Sequence, residues 1–299
     1  MRFLLFLGLV SSALCAKPIV VALQDRVVDA TVIVAFEKKF FQEEGIEVIP
    51  KRFTSGPATS EALIFGDADI ATMGDTAALI AISKYCPSIK MLIPLGGGEK
   101  RHGVVIPLDS NATTLKDLVG KKIAVKKGTS TNGGLLLRAK KEGITLEKEM
   151  MDLEPSLMAS ALYSKEVDAV VASEPTPSVL VEKGIGKRMM TLEGLGNSYP
   201  LLVMVKEASF KEHREKIPAF LKALEKANAF IRNAPNESAA LVSSFSKLSV
   251  KATKEAMSYH FYTMGWDEAS QESLAKMAQF LVDARILKTL PSIDACIAR

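Results

Sequence analysis

Short apolar runs alternate along the chain with segments in which apolar residues recur at helical spacing. The runs predict strands at PIVVAL (18–23), IEVIPKRF (46–53) and DIATM (69–73). The segment 30–44 carries an apolar face and stops at Gly45, which predicts a helix closed by a C′ glycine. This alternation predicts an α/β fold in which helices cover both faces of a mostly parallel sheet.

Two further helix starts follow strands directly. Ser55, Gly56 and Pro57 open a short helix that closes at Gly66, with the proline near the first-turn position that tolerates it. Asp75 follows the third strand and is the predicted N-cap of the next helix. The polar groups of both helix starts are therefore expected at the ends of strands.

The two halves of the chain share a repeated pattern. Residues 62–79 align with residues 161–178 at a constant offset of 99, which places Asp69 on Asp168 and Asp75 on Glu174. Upstream, EEGIEV (43–48) aligns with KEGITL (141–146) at an offset of 98. A chance likeness of two amphipathic units is the alternative, but the matched acidic positions favour a duplicated helix–strand–helix unit.

The order of elements predicts two lobes. One more strand is expected at YPLLVMVK (199–206), followed by helices at 210–233, 236–246, 250–264 and 268–287. We expect lobe 1 to comprise residues 17–104 and 201–299, with residues 105–200 inserted as lobe 2. The two crossings between the lobes would form a hinge, and GGGEKRHG (96–103) is expected to be a mobile loop.

The N-terminus is typical of a secretory signal. Arg2 precedes an apolar run over 3–10, and small residues follow up to Ala16. This predicts a cleaved signal peptide over residues 1–16 and a periplasmic mature protein, with cleavage after Cys15 or Ala16. An apolar first strand is the alternative. The mature chain would keep Cys86 and Cys296, either as a disulfide or as two separate buried thiols.

Composition and charge narrow the function only slightly. The 299 residues are 48% hydrophobic and 24% charged, with a formal net charge of +4 and 6% aromatic residues. The lysines are scattered, which argues against a nucleic-acid surface. The histidines His102, His213 and His260 are far apart and lack metal-ligand spacing, and His213 is expected to be solvated. Neither GxSxG nor GxGxxG occurs, so we assign no catalytic residue, no cofactor and no metal.

The predicted strand ends carry small polar residues, and ligands of open α/β sheets bind at such ends. The candidate ligand-binding residues are Gln24, Asp25, Thr54, Ser55, Gly56, Gly74, Asp75, Thr76, Gly128, Thr129, Ser130, Thr131, Asn132 and Glu174.

Residues 129–132 predict an anion site, because a helix N-terminus offers unpaired N–H groups and a partial positive charge. Plain helix capping by Thr129 or Ser130 is the alternative. Asp75 and Glu174 could instead hold an ammonium group of the ligand, while simple roles at helix starts are the alternative for both.

Three long segments resemble solute-binding proteins of ABC importers of the nitrate/sulfonate/taurine type. They are FFQEEGIEVIPKRFTSGPATSEALIFGDADIATMGDTAALIA, TTLKDLVGKKIAVKKGTSTNGGLLLRAKKEGI and VDAVVASEPTPSVL. The resemblance covers most of the mature chain. It implies a two-lobed type II periplasmic-binding fold, a small-molecule ligand at the strand-end residues, and an ABC permease in the inner membrane as partner. Many members place Trp where Ser173 precedes Glu174, which makes this cleft less aromatic.

Three hypotheses about function follow. The first is a monomeric receptor for a small anionic or zwitterionic solute of the sulfonate, taurine or nitrate class, working by ligand-stabilised closure. The second is a binding protein for a thiamine-precursor pyrimidine, which relatives of similar sequence carry and which usually needs aromatic stacking. The third is an enzyme on the same fold, which the absence of a cysteine cluster disfavours.

Overall fold

A computed structural model of the protein describes residues 17–146 and 148–299. The predicted signal peptide, residues 1–16, lies outside the described residues and stays a prediction. The N-terminal elements are β1 (Ile19–Gln24), α1 (Ala30–Glu37), α2 (Phe40–Glu43), β2 (Val48–Phe53), α3 (Gly56–Phe65), β3 (Ile70–Gly74), α4 (Asp75–Tyr85) and β4 (Ile89–Gly97).

The middle of the chain forms a second set of elements. They are β5 (His102–Ile106), β6 (Ile123–Val125), α5 (Ser130–Glu142), β7 (Met150–Asp152), α6 (Met158–Tyr163), β8 (Ala169–Ser173), α7 (Thr176–Glu182) and β9 (Lys187–Thr191). The C-terminal elements are β10 (Leu201–Lys206), α8 (Glu207–Glu212), α9 (Ile217–Asn233), α10 (Pro235–Ser246), α11 (Val250–Ser258), β11 (Phe261–Met264) and α12 (Glu268–Asp283).

The strands form two sheets, one for each lobe. The first has the order β11-β4-β10-β3-β1-β2 and the second the order β7-β6-β8-β5-β9. Each sheet contains a parallel trio, β3-β1-β2 or β7-β6-β8. Each trio is extended by a strand that has just crossed from the other lobe and runs antiparallel, β10 in the first sheet and β5 in the second. The sheets are therefore mixed, because the crossing strands enter from the opposite direction.

Strand pairing also locates the crossings. β4 belongs to the first sheet and β5 to the second, so the first crossing lies at 98–101. The expected limit at residue 104 falls inside β5, and His102 already pairs with Ser173 of β8. The second crossing joins β9 to β10. We propose lobe limits at these crossings in place of those expected from the sequence.

Hydrogen bonding supports the duplication. A carboxylate oxygen of Asp69 accepts the backbone N–H of Val20 at 2.9 Å, and Asp168 accepts that of Lys122 at 2.8 Å. Each aspartate directly precedes a strand and ties it to the start of the neighbouring parallel strand. The two aspartates are related by the offset of 99, so the sequence repeat corresponds to a structural one.

Three predicted helix limits are wrong. The helix expected over 30–44 is interrupted at Lys39, which has a left-handed backbone with φ 61°. Gly74, not Asp75, is the N-cap residue of α4. The helix expected over 250–264 ends at Ser258, because Phe261 pairs with Gly97 at the edge of the first sheet.

Of the two alternatives left open for the cysteines, the structure contains the disulfide. Cys86 follows α4, and Cys296 lies in a short 3₁₀ turn near the C-terminus, with the two residues 210 positions apart. Beside the disulfide, the N–H of Ala298 donates to the carbonyl of Met91 on β4 at 2.8 Å. The C-terminal segment is therefore fastened to lobe 1. Among the described helices, none is long and apolar enough to cross a membrane.

We expect the disulfide to stabilise lobe 1. Replacing both cysteines, Cys86→Ser with Cys296→Ser, should lower the free energy of unfolding by about 2–5 kcal/mol, because the unfolded chain loses a long cross-linked loop. Urea unfolding of oxidised protein measures this difference. The wild type in reductant serves as the control and should match the variant; equal stability of oxidised wild type and variant would contradict the prediction.

Asp29 supplies a pH dependence of stability. Its carboxylate is fully buried at the start of α1 and accepts the N–H of Gln24 at 2.8 Å. Burial raises the pKa of Asp29 to about 7. The unfolded pKa is about 3.9, so between these values the folded state holds more protons than the unfolded state. The stabilisation that protonated Asp29 contributes is fully present below about pH 4 and is lost as the pH rises through 7.

Asp29→Asn should remove that contribution while keeping an acceptor for the Gln24 N–H. Between pH 4 and 7, the free energy of unfolding of the wild type should fall relative to the variant by up to about 1.4 kcal/mol per pH unit. Urea unfolding at several pH values measures the difference. Parallel pH profiles for the two proteins would show that Asp29 does not titrate in this range.

Candidate functional site

A cavity lies between the lobes at the carboxyl ends of β1, β3 and β8. Its volume is about 50 Å³, which leaves room for about four water-sized groups. Eight of the residues predicted from the sequence line it: Gln24, Ser55, Gly56, Gly74, Thr129, Ser130, Thr131 and Glu174. Six others do not: Asp25, Thr54, Asp75, Thr76, Gly128 and Asn132. Ligand binding by any of them stays a prediction.

The N-terminus of α5 forms one wall of the cavity. Thr129 is its N-cap, and the Thr129 hydroxyl accepts the N–H of Asn132 at 3.3 Å. The first-turn N–H groups of Ser130 and Thr131 have no acceptor within the helix. The Ser130 hydroxyl is buried beside the Asp75 carboxyl of lobe 1, toward which it can donate. Thr129 therefore acts as a plain helix cap. The N–H groups of Ser130 and Thr131 are left to donate to a group in the cavity.

Gly74 allows the lobes to approach each other closely. A Cβ atom at Gly74 would lie 2.1 Å from the Ser130 hydroxyl oxygen, closer than van der Waals contact allows. The start of α4 in lobe 1 therefore contacts the start of α5 in lobe 2. Two helix N-termini with partial positive charge converge on the same cavity.

Arg101, like Arg26 and Lys126, lines the cavity but was not predicted from the sequence. It ends the short 3₁₀ turn Glu99–Arg101 of the first crossing and lines the cavity, with 2% of its surface exposed. Its Nε is buried without a partner, and no carboxylate oxygen of the described residues lies within salt-bridge distance of its guanidinium. The segment 96–103 is an ordered crossing with strand on both sides, not the mobile loop expected from its glycines.

Arg101 keeps its positive charge at neutral pH. Burial lowers the pKa of Arg101 to about 10, and the Asp75 carboxyl opposes this shift. Burial also raises the pKa of Asp75, and that of Asp29 to about 7. Burial thus disfavours the ionised form of both carboxyls that interact with Arg101. The cavity has a positive charge that its surroundings only partly balance.

Glu174 is already paired within its own lobe. Its side chain is fully buried, and Arg188 donates to it at 2.6 Å. The N–H of Ser178 donates to its other oxygen at 3.2 Å. The Arg188 guanidinium also lies over the Tyr259 ring, 4.6 Å from its centroid. The charge of Glu174 is neutralised before any ligand arrives.

Other polar contacts connect the lobes around the cavity. Arg26 donates to the carbonyl oxygen of Ser173 at 3.0 Å and to the hydroxyl of Thr176 at 2.8 Å. At the rim, the Thr54 hydroxyl donates to Glu154 at 3.2 Å. Asp25 instead forms a surface ion pair with Arg52 at 3.3 Å. The structure therefore represents a closed arrangement of the lobes.

His102 belongs to the cavity wall beside Arg101. Its Nδ1 lies 2.8 Å from the Thr131 hydroxyl oxygen. Burial lowers the pKa of His102 well below its usual value, so the imidazole is neutral. His102 supplies the one aromatic ring among the described residues that line the cavity, which include no Trp, Tyr or Phe. A flat heterocycle would find little stacking surface here.

His213 and His260 lie elsewhere. His213 is 3% exposed, so the expectation that it is solvated is wrong. The His260 ring packs near Tyr262, and its Nδ1 lies 2.9 Å from the carbonyl oxygen of Ala256. His260 therefore has a packing role.

Sequence and structure comparisons place the chain among known proteins. It is 28% identical over 230 residues to a putative aliphatic sulfonates-binding protein of Bacillus subtilis, covering 75% of this chain and 69% of the relative. It is 29% identical over 202 residues to the taurine-binding periplasmic protein of Escherichia coli, covering 66% of this chain and 62% of the relative.

A solved structure shares the fold. The alkanesulfonate-binding protein SsuA from Xanthomonas axonopodis pv. citri, bound to MOPS, superposes with a TM-score of 0.85 and 19% sequence identity. The match covers 94% of this chain and 98% of that protein. The two-lobed periplasmic-binding fold predicted from the sequence is thereby confirmed. The model of the NMT1-like family matches residues 20–244, and the chain belongs to that family.

Proposed function

We propose that the protein is an extracytoplasmic solute-binding receptor of an ABC importer, and that its ligand is a small anion of the sulfonate class. The observation that carries this proposal is the buried Arg101 guanidinium in the wall of the interlobe cavity. A buried charge without a paired counter-ion costs several kcal/mol. An anionic ligand would supply the counter-ion and so relieve that cost.

The rest of the cavity wall suits an anion as well. The N-termini of α4 and α5 converge there, each with first-turn N–H groups that have no acceptor within its own helix. Oxygen atoms of a sulfonate can accept from N–H, O–H and guanidinium groups at once. The names of the relatives, aliphatic sulfonates-binding and taurine-binding, support the same class.

The structure favours an anion without an ammonium group. The sequence suggested that Asp75 and Glu174 could hold an amine. Glu174 is now paired with Arg188, and Asp75 is absent from the cavity wall. Burying an unpaired ammonium beside Arg101 would add to the cost of that charge. The pyrimidine alternative is also disfavoured, since the described lining offers only the aromatic ring of His102 for stacking.

Binding would act through lobe closure. A ligand that contacts Arg101 at the crossing and α5 in lobe 2 interacts with both lobes only when they are together. Its binding free energy therefore shifts the population toward the closed form. The Arg26 bonds to Ser173 and Thr176 would form at the same time. The closed, periplasmic receptor would then dock on a permease of the inner membrane as a monomer.

We expect Arg101→Met to abolish most sulfonate binding. Losing the charged partner of a buried anion should weaken binding by roughly 2–5 kcal/mol, about 30- to 5,000-fold. Titration calorimetry with 1-propanesulfonate measures the loss. Thermal unfolding without ligand should show the variant at least as stable as the wild type, because an unpaired buried charge has been removed.

The matched control is Lys100→Met, which removes the neighbouring exposed charge that pairs with Glu193 at the surface. It should leave the dissociation constant within about twofold, since exposed ion pairs contribute little. The proposal would be overturned if folded wild-type protein bound none of 1-propanesulfonate, taurine or nitrate. It would also fail if Arg101→Met bound the sulfonate as tightly as the wild type.

A second prediction concerns ligand choice. Taurine and 1-propanesulfonate have nearly the same size but differ by an ammonium in place of a methyl group. We expect 1-propanesulfonate to bind more than about tenfold tighter, because no described carboxylate of the cavity is free to pair with the ammonium. Calorimetry of both ligands at one pH tests this. Tighter binding of taurine would show that Asp75 or Glu174 takes the role expected from the sequence.

A further inference from the structure

Three potential metal ligands converge at the end of lobe 1 opposite the cavity. Asp69 directly precedes β3, and Glu212 and His213 lie at the C-terminal end of α8. One ligand atom from each side chain lies within 4.8 Å of the other two. β3 reaches the cavity at its other end, so Asp69 lies about 16 Å from Gly74 along an extended strand.

The position of His213 points into this cluster. Its side chain is 3% exposed, and its Nε2 is buried with no hydrogen-bond partner among the described residues. The Nε2 lies 3.7 Å from Oδ2 of Asp69, which is too long for a hydrogen bond. Two ligands of a tetrahedral Zn²⁺, each about 2.1 Å from the metal, are separated by about 3.4 Å. The observed distance between Nε2 and Oδ2 is therefore closer to the separation of two ligands of one metal ion than to the length of a hydrogen bond.

The Asp69 carboxylate is already held in a fixed orientation. Its Oδ2 accepts the N–H of Val20 at 2.9 Å, and its Oδ1 accepts the hydroxyl of Ser209 at 2.8 Å. Each oxygen keeps a further lone pair for a cation. Partners of this kind orient the ligands in metal sites. The carboxylate therefore requires no rearrangement to bind a metal.

A cation already lies beside the cluster. The Lys17 ammonium contacts Glu212 at 3.0 Å. The cluster therefore already attracts a positive charge. A metal ion would compete with Lys17 for Glu212.

The other lobe provides a natural comparison. Asp168 makes the same bond to the start of a neighbouring strand as Asp69 does. Within the part of the chain that the structure describes, no histidine and second carboxylate join Asp168 in a comparable group. The structural role of the aspartate is thus shared by both lobes, whereas the His213 and Glu212 groups are an addition in lobe 1.

We propose that Asp69, Glu212 and His213 form a divalent transition-metal site, best suited to Zn²⁺, that stabilises lobe 1. Two carboxylates and one imidazole are common Zn²⁺ ligands, and water would complete a tetrahedral set. The metal would tie α8 to the start of β3. The spacing of the histidines in the sequence gave no sign of this site, because only the fold brings Asp69 next to His213.

The test uses untagged full-chain protein stripped with a chelator and titrated with Zn²⁺. Calorimetry should show one site, and Zn²⁺ should raise the thermal unfolding midpoint of the wild type. Co²⁺ should give the visible absorption of a tetrahedral site.

Glu212→Gln, at an exposed position, should weaken Zn²⁺ binding by more than about tenfold, and His213→Gln should do the same. Lys17→Ala should tighten it by removing the competing ammonium.

The matched control is Asp168→Asn, which should lower stability but leave the Zn²⁺-induced rise in midpoint unchanged. The proposal is overturned if the wild type shows no Zn²⁺ binding, or if Glu212→Gln binds Zn²⁺ as tightly as the wild type. Should His213→Gln fail to fold, Glu212→Gln and Lys17→Ala still decide the question through their opposite effects. The sulfonate affinity is measured separately and should not change with Zn²⁺.

Discussion

The interlobe cavity is organised around the charge of Arg101, the most deeply buried of three cations in its wall, the others being Arg26 and Lys126. Burial makes this charge costly, and the nearby acids Asp75 and Asp29 only partly offset it because burial also raises their pKa values. Direct pairing, as between Glu174 and Arg188, would have neutralised the cavity. The first crossing instead carries an unpaired guanidinium to the point where the two lobes meet. Affinity for an anion and the energetic benefit of closure thus have the same physical origin.

The duplicated unit explains why the two lobes present similar but unequal surfaces. Asp69 and Asp168 fasten equivalent strands in the same way, and each of those strands is followed directly by an acidic residue, Asp75 or Glu174. The halves differ in how those acids are satisfied. Glu174 has a guanidinium partner in its own lobe, whereas Asp75 interacts with Arg101, which belongs to neither repeat. The asymmetry of the cavity comes from the crossing segment between the repeats.

Much of the fold could be predicted from the sequence, because hydrophobic periodicity and helix-capping residues are local signals. The strand–helix alternation, the repeat and the cysteine pair were all visible there. The ends of elements were less predictable, since the β11 segment becomes a strand only by pairing with Gly97. At the site, small polar strand ends identified the wall of the cavity. Arg101 was missed because Lys100 precedes it, and no local pattern tells which of two adjacent cations turns inward. The pairing of Glu174 with Arg188 likewise depends on tertiary contact.

Strand β3 shows how one element can serve two separate sites. Its carboxyl end reaches Gly74, whose missing side chain lets the lobes approach at the cavity. Its amino end begins after Asp69, whose carboxylate holds the start of β1 and faces His213. A metal at the amino end would stiffen the strand without contacting the cavity. Because closure moves each lobe as a rigid body, such stiffening would leave the anion affinity unchanged while raising the stability of the lobe that carries Gly74. The two proposals therefore depend on different residues, and either can fail without the other.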